Sequence, residues 1–291
     1  MENRIRLTGR AWWRGLAIAG LASAGLIGCA SLDAQQRRWI FQPSKNTWGG
    51  AAALSEQMQS VWIDFASAES GEPVRLHGLW HPQARADAPR VLYLHGARWD
   101  VASSARRIQR LHDLGFSVLA IDYRGFGRSS DALPSEESAA EDARAAWEWL
   151  AAQTPAAQDA PRFVYGHSLG GAIAVRLASE VNDEAGLVVE ASFTSIPDVY
   201  ASMSFGWLPL APLITQRFDA ATRIALVKAP VLVVHGSHDA TIRPELGRAL
   251  YERAVTPKRL VLVEGGNHHN SSALGQVAIR EALRELFGLG E

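Results

Sequence analysis

The segment RFVYGHSLGGAIAVRLA, residues 162–178, decides the fold because it reads as a strand, a sharp turn and a helix. Residues 162–165 form a short apolar run that favours a strand, and the small and apolar residues 171–178 suit a helix packed closely on a sheet. Ser168 lies between them in a G-x-S-x-G pattern, whose turn strains the serine and exposes its hydroxyl. We therefore predict that Ser168 is a nucleophile; the alternative is a glycine-rich turn with an idle serine.

Composition and charge restrict the class of protein. The 291 residues carry a formal net charge of −1, so the sequence predicts no nucleic-acid partner. A hydrophobic share of 47% with 20% charged residues is typical of a globular chain, and no linker rich in Pro, Ser or Gly divides it, so we expect one domain. Cys29 is the single cysteine, which excludes an internal disulfide and a cysteine-based zinc site.

The first 28 residues have the pattern of a signal peptide. An uncharged apolar run of 14 residues, from Gly15 to Gly28, follows four arginines, Arg4, Arg6, Arg10 and Arg14. About 20 apolar residues are needed to span a bilayer as a helix, so we expect a secretory signal and not a permanent transmembrane segment.

The end of the apolar run, Leu26-Ile27-Gly28-Cys29, resembles the bacterial lipobox, in which a diacylglyceryl group is attached to the cysteine and the chain is cut just before it. Several acyl chains on Cys29 would anchor the protein stably to a membrane. The alternative is an ordinary signal peptide cut after Ala22-Ser23-Ala24. Because Ala30 follows in place of Asp, the pattern resembles lipoproteins sent to an outer membrane, so we expect the bacterial cell envelope, facing the periplasm. The predicted divisions are a lipoprotein signal peptide over 1–28, a tether over 29–45 and one domain over 46–291.

The rest of the chain alternates strands and helices. Residues 61–65 and 74–80 predict an antiparallel hairpin at one edge of a sheet. The further predicted strands are 91–94, 116–121, 162–165, 187–190, 231–234 and 260–263; the predicted helices include 105–114, one opened by a capping box at 138–141, and 272–287. This order predicts an α/β fold, a mostly parallel sheet with helices on both faces. Residues 196–225 are irregular and contain prolines, which suits either a small cap over a pocket or a packed connector.

Reactive side chains follow three of the predicted parallel strands, at the edge where such sheets bind ligands. Ser168 follows one strand, Asp239 follows the strand 231–234, and the pair His268-His269 follows the last. A serine becomes nucleophilic when an imidazole accepts its proton and a carboxylate holds that imidazole in the right tautomer. We predict that Ser168 is the nucleophile, His268 the base and Asp239 the orienting carboxylate.

Alternatives stay open for two of these roles. His269 is the rival base. Asp219 and Asp198 are weaker candidates than Asp239, because Asp239 follows a strand end and a glycine turn. The alternative reading of Asp239 is a helix cap ahead of Thr241.

Two backbone N–H groups are predicted to form an oxyanion hole. They belong to Ala97, after the first parallel strand, and to Leu169, the residue after the nucleophile. The remaining histidines and the arginine near these strand ends are expected to be packing, rim or solvent residues: His95, Arg98, His167 and His238.

The order of these motifs resembles the α/β-hydrolase superfamily over nearly all of the mature domain. The motifs are His95-Gly96, Asp122 to Ser129, the turn at Ser168, Ala191 to Ser195, Pro230 to Leu232, Asp239 and His268. The small cap and Phe41-Gln42-Pro43 resemble the Bem-forty-six-like branch of serine hydrolases, from whose single His the doubled His268-His269 departs.

This resemblance implies that 46–291 is an α/β-hydrolase domain with esterase or thioesterase activity. The expected substrate is a small-molecule or lipid-like ester, with no metal or cofactor. Peptide or amide cleavage by the same triad is one alternative. A membrane-tethered binding module that keeps the fold without the activity is the other.

Overall fold

One eight-stranded sheet organises the computed structural model, which describes residues 30–153 and 160–289. The strands are β1 (Gln59–Ala66), β2 (Pro73–His81), β3 (Arg90–Leu94), β4 (Ser117–Ile121), β5 (Arg162–His167), β6 (Gly186–Glu190), β7 (Val231–Gly236) and β8 (Lys258–Val263). Their order in the sheet is β1-β2-β4-β3-β5-β6-β7-β8. The β1-β2 and β2-β4 pairs are antiparallel and all other pairs are parallel, which confirms the predicted parallel sheet with an antiparallel hairpin at one edge.

Helices cover both faces of this sheet. They are α1 (residues 30–41), α2 (Ala52–Ser55), α3 (Ala105–Asp113), α4 (Glu136–Ala152), α5 (Leu169–Glu180), α6 (Ile196–Ser202), α7 (Ala220–Arg223), α8 (Pro244–Arg253), α9 (Ser271–Leu274) and α10 (Gln276–Phe287). On one face α4, α5 and α8 bury Trp147, Ile173 and Leu250. On the other face α3 and α10 bury Ile108 and Leu283. The strands between them are apolar because both of their faces are covered.

Two predicted helices differ in detail. The capping box that opens α4 is formed by Ser135 and Ser138, one turn before the predicted position at 138–141. The predicted helix 272–287 is interrupted at Gly275, which ends α9 and precedes α10. After the interruption a different side of the helix faces the core: Leu274 is 59% exposed, whereas Ile279 is buried.

Residues 30–41, within the predicted tether, form α1, which packs on the rest of the chain. Phe41 is fully buried between the rings of Phe126 and Phe218, at centroid distances of 6.4 and 5.6 Å. Near the other end of the helix, Asp33 accepts a hydrogen bond from the Thr215 hydroxyl at 2.7 Å. α1 therefore joins the body of the domain to the segment between β6 and β7.

None of the helices within residues 30–153 and 160–289 combines the length and apolar character that crossing a bilayer requires. The predicted signal peptide and Cys29 lie outside the described residues.

Candidate active site

The turn between β5 and α5 holds Ser168 in a strained conformation. Its φ and ψ are 56° and −122°, a combination that a residue with a side chain rarely adopts. The glycines on either side permit the tight turn. A Cβ on Gly166 would lie 2.2 Å from the Gly170 carbonyl oxygen, and a Cβ on Gly170 would lie 2.1 Å from that of Leu94. Both positions therefore require glycine, as the G-x-S-x-G pattern predicts.

Three predicted site residues form one hydrogen-bonded row at the carboxyl edge of the sheet. His268 Nε2 lies 3.0 Å from Ser168 Oγ, and His268 Nδ1 lies 2.8 Å from Asp239 Oδ2. A neutral His268 that donates its Nδ1–H to the carboxylate presents the lone pair of Nε2 to the serine hydroxyl. The row thus contains a hydroxyl, a proton acceptor and an orienting anion in the order that acyl transfer requires.

Asp239 combines the two readings that the sequence left open. Its Oδ1 accepts hydrogen bonds from the backbone N–H groups of Thr241 and Ile242, both at 2.9 Å, while Oδ2 receives His268. Burial raises the pKa of this carboxyl, but hydrogen bonds from His235, His268 and Ile242 outweigh burial and hold the pKa below its usual range. Asp239 is therefore an anion that its backbone partners fix in position.

The rival candidates lie elsewhere. The ring of His269 packs edge-on against that of His268 at 5.2 Å, and among the described residues only His268 hydrogen-bonds to the Ser168 hydroxyl. Burial and the neighbouring His268 lower the pKa of His269. Asp219 caps α7, and Asp198 accepts hydrogen bonds from hydroxyl groups at the start of α6.

The two predicted oxyanion-hole residues flank the Ser168 turn. Leu169 is the first residue of α5, where backbone N–H groups have no partner inside the helix. Ala97 follows β3 in a loop so close to the turn that a Cβ on Gly96 would lie 3.0 Å from Ser168 Cβ. Among the hydrogen bonds of the described residues, none uses the N–H of Ala97 or of Leu169. Both donors are available to a ligand.

The other histidines and the arginine near the strand ends occupy varied positions. His95 is buried and its Nδ1–H donates to the Gly96 carbonyl at 2.7 Å; burial lowers its pKa. Arg98 and His238 are exposed. His167 is buried with its ring 5.1 Å from that of His268.

A second buried cluster, which the sequence analysis missed, supports the loop after β8 that carries His268 and His269, which we call the histidine loop. Glu190 ends β6 and is fully buried; it accepts hydrogen bonds from the Tyr165 hydroxyl at 2.8 Å and from Arg107 Nε at 3.3 Å. Burial raises the pKa of Glu190, but the Arg107 charge, together with hydrogen bonds from Tyr165 and Arg107 and the nearby His167, outweighs burial and lowers the pKa to about 2. A single acidic residue at the end of the apolar strand 186–190 was the available signal, since a buried carboxylate needs a partner.

Arg107 connects this cluster to the proposed base. Its Nη2 donates to the backbone carbonyl of His269 at 3.1 Å and lies 3.1 Å from His167 Nε2. The same His167 nitrogen lies 3.0 Å from the carbonyl oxygen of His268. Both consecutive carbonyl groups of the histidine loop therefore contact the buried cluster.

The chain is similar to several known proteins. A family model described as serine aminopeptidase, S33, matches residues 86–220. An uncharacterized protein of Mycobacterium tuberculosis (strain ATCC 25618 / H37Rv) is 38% identical over 282 residues, which cover 95% of this chain and 96% of that protein. The lysophosphatidylserine lipase ABHD12 of Danio rerio is 29% identical over 220 residues, and the match covers 69% of this chain and 56% of the lipase.

A solved structure has the same fold. The Pyrococcus furiosus esterase Pf2001 superposes with a TM-score of 0.66 at 21% sequence identity, covering 84% of this chain and 98% of the esterase. At this level of identity the likeness concerns the arrangement of strands and helices.

Proposed function

Since the chain belongs to the α/β-hydrolase superfamily, we propose that it is a serine hydrolase that cleaves carboxylic ester or thioester bonds through an acyl-Ser168 intermediate. The observation that carries the proposal is the row from Ser168 through His268 to Asp239, with its 3.0 and 2.8 Å contacts. The similarity to the lysophosphatidylserine lipase of Danio rerio supports a lipid-like ester as the substrate class.

In the first half-reaction Ser168 Oγ attacks the acyl carbon while His268 Nε2 accepts its proton. The negative charge that develops on the acyl oxygen is stabilised by the N–H groups of Ala97 and Leu169. The imidazolium formed on His268 is stabilised by the Asp239 carboxylate. It then donates its proton to the leaving oxygen or sulfur, and the alcohol or thiol departs.

In the second half-reaction water replaces the leaving group. His268 Nε2 takes a proton from the water as its oxygen attacks the acyl carbon of the acyl-enzyme. The same two N–H groups hold the second oxyanion. When that intermediate collapses, Ser168 Oγ leaves and recovers the proton from His268, and the carboxylic acid is released.

A fluorophosphonate probe tests the nucleophile. We expect wild type to be labelled and Ser168→Ala to lose the label. Ser179→Ala, at the other end of α5, is the matched control and should label like wild type. Labelling that persists in Ser168→Ala would refute the assignment, and an unlabelled wild type would favour the binding module. Rates on p-nitrophenyl esters of increasing chain length would then define the acyl preference.

Peptide or amide cleavage is a second candidate, because the matching family model is described as a serine aminopeptidase. An aminopeptidase needs a free acidic group to receive the substrate ammonium. Glu190 and Asp239, the buried acidic residues at the carboxyl ends of β6 and β7, are both engaged with protein partners. We therefore favour esters. Hydrolysis of aminoacyl p-nitroanilides with a kcat/KM above that for p-nitrophenyl esters would reverse this preference.

We also propose that the chain is a lipoprotein of the Bem-forty-six-like branch, anchored through Cys29 to the periplasmic face of a bacterial outer membrane. The lipobox-like Leu26-Ile27-Gly28-Cys29 supports it. Metabolic labelling with an alkynyl fatty acid should mark wild type, and Cys29→Ser should lose both the label and the membrane association. A labelled Cys29→Ser protein, or an unlabelled wild type in the membrane fraction, would contradict lipidation at this residue.

A further inference from the structure

The segment between β6 and β7 exposes large apolar side chains. It contains no charged residue between Asp198 and Arg217. We call its exposed apolar residues the cap face: Met203, Phe205, Trp207, Leu210 and Leu213. Trp207 is 80% exposed, and Tyr200 holds the segment in shape by donating its hydroxyl to the Leu208 carbonyl at 3.1 Å. Single exposed apolar residues are ordinary in soluble proteins, but a group of this size marks an interaction surface.

The cap face continues onto α1. The Gln36 side chain donates to the carbonyl of Leu213 at 2.7 Å, which joins the helix to the cap. Leu32 and Trp39 are both exposed, Trp39 by 65%, and they lie seven residues apart, so they occupy the same side of the helix. The apolar surface therefore extends beyond the cap segment.

The described part of the chain begins next to this surface, at Ala30 of α1. In the sequence, the uncharged run of residues 15–28 stops two positions before Ala30. Asp33, four positions after Cys29, is bonded to Thr215 of the cap. Because an α-helix rises about 1.5 Å per residue, Ala30 lies about 5 Å from Asp33 along α1. A lipid group on Cys29 would be attached one residue before Ala30. The cap has no long linker with which to move away from the membrane.

From these observations we infer that the cap face is a docking surface for a lipid bilayer, with Trp207 and Trp39 inserted at the level of the headgroups. Tryptophan favours this level because its ring is apolar and its N–H is polar. The inference goes beyond the proposed activity and rests on the proposed lipid anchor at Cys29. It selects a bilayer over a second copy of the chain because the anchor brings a bilayer to the cap.

Docking in this orientation brings the reaction centre to the bilayer. The Ser192 hydroxyl, in the turn that leads from β6 into the cap, donates to the Ser168 carbonyl at 2.8 Å. The carbonyl of Phe41, at the end of α1, accepts the N–H of Arg98, next to Ala97, at 2.9 Å. The two segments that carry the docking surface are thus each hydrogen-bonded at one end to the Ser168 region, and on this inference an ester lipid would reach Ser168 from the bilayer side.

A fluorescent probe tests the orientation. Full-length Trp207→Cys and Val255→Cys are each labelled with an environment-sensitive thiol dye and reconstituted into phosphatidylcholine and phosphatidylglycerol vesicles. Val255 is the matched control because it is 73% exposed and lies just before the amino end of β8, whereas the cap follows the carboxyl end of β6. Wild type supplies any background from Cys29. When vesicles are added, we expect the emission of the dye at position 207 to shift to shorter wavelength and to be quenched by brominated lipids. The dye at position 255 should show neither change.

Two fluorescence outcomes would overturn the inference. One is a dye at 207 that is as exposed to water as the dye at 255. The other is shielding at 207 that follows protein concentration without vesicles, which would assign the cap face to a second copy of the chain. Because neither readout requires catalysis, they test the docking surface even if the protein cleaves no ester.

Activity provides a second readout. For Trp207→Ser we expect hydrolysis of a long-chain ester lipid in vesicles to fall about tenfold, the order expected when a large apolar side chain loses its buried environment. The rate on soluble p-nitrophenyl butyrate should stay at the wild-type value and so report a folded site. Val255→Ser should change neither rate. An equal loss on both substrates would overturn docking and assign Trp207 to the substrate pocket.

Discussion

The neighbouring strands β6 and β7 each lead to a buried acidic residue, and the two residues differ in their partners. Glu190, at the end of β6, faces Arg107, whereas Asp239, just after β7, faces His268 and His235. In both cases the partners hold the carboxyl pKa below its usual value. Arginine keeps its proton at any working pH, whereas histidine exchanges its proton near neutrality. The Glu190 carboxylate therefore faces a permanent cation, whereas the Asp239 carboxylate faces imidazole rings that can gain a proton during a reaction.

From this difference we expect a structural role for the Glu190 site and a role in the reaction for the Asp239 site. A carboxylate beside a fixed cation makes a permanent ion pair, which suits a structural part. A carboxylate beside an imidazole can stabilise the positive charge that appears there during a reaction. The two sites are connected through the histidine loop, because Arg107 contacts the backbone of His269. We therefore expect substitutions of Asp239 to lower the rate of the reaction and substitutions of Glu190 to lower the stability of the fold.

The largest expected effect is that of Asp239→Asn on rate. The amide no longer stabilises the imidazolium and favours the wrong tautomer of His268, so we expect kcat to fall about 10³- to 10⁴-fold. Initial rates on a p-nitrophenyl ester, with circular dichroism to verify folding, measure this effect. A folded variant that retains more than a tenth of the wild-type kcat would remove Asp239 from the mechanism.

Glu190→Gln should act mainly on stability. It leaves the Arg107 charge buried without its anion, which costs about 3–5 kcal/mol of unfolding free energy. Urea unfolding measures the loss. The matched control is the double variant Glu190→Gln, Arg107→Met, which removes both charges and should recover part of it. If the double variant loses as much unfolding free energy as Glu190→Gln and Arg107→Met lose together, or more, the two charges do not compensate each other.

Low pH should reduce the unfolding free energy of the wild-type protein through protonation of Glu190. The folded pKa of Glu190, about 2, lies below its ordinary value of 4.5, so the folded state binds its proton less readily than the unfolded state. The contribution is complete above about pH 5 and is lost as pH falls towards about 2, amounting to roughly 3 kcal/mol. We expect urea unfolding of Glu190→Gln to show a correspondingly smaller change over this range. Parallel stability curves for the two proteins would contradict the assignment.

The smallest expected effect belongs to His269→Ala. Because its ring makes no hydrogen bond to Ser168 within the described residues, we expect kcat to change by about twofold at most. His268→Ala is the matched variant and should lose about 10³-fold or more. The reverse pattern, measured on the same soluble ester, would make His269 the base.

The sequence predicted the strands, the mostly parallel sheet and the hairpin at its edge, because each strand is an apolar run bounded by turn residues and an alternation of strands and helices permits few topologies. The row of Ser168, Asp239 and His268 was predictable as a set of residue types at strand ends. Its distances were not, because they depend on loops after β7 and β8 whose shape the sequence pattern does not specify.

What the sequence missed depends on contacts between distant segments. Arg107 lies on α3 in a pattern typical of any amphipathic helix, and nothing in its neighbourhood along the chain points to Glu190, 83 residues away. The break at Gly275 was missed because residues 272–287 fit a continuous helical period. The helix α1 was missed because the residues before Trp39 are mostly polar and predict a tether.

The way Phe41 is inserted sets a practical limit on how far the protein can be shortened for laboratory work. A truncated chain that began at residue 46 would leave a hole between Phe126 and Phe218 and remove the carbonyl that receives the Arg98 N–H. Losing a buried ring of this size costs about 3–5 kcal/mol of stability. A version intended for crystallisation should therefore begin no later than Ala30, the first described residue, so that residues 30–41 of α1 are kept.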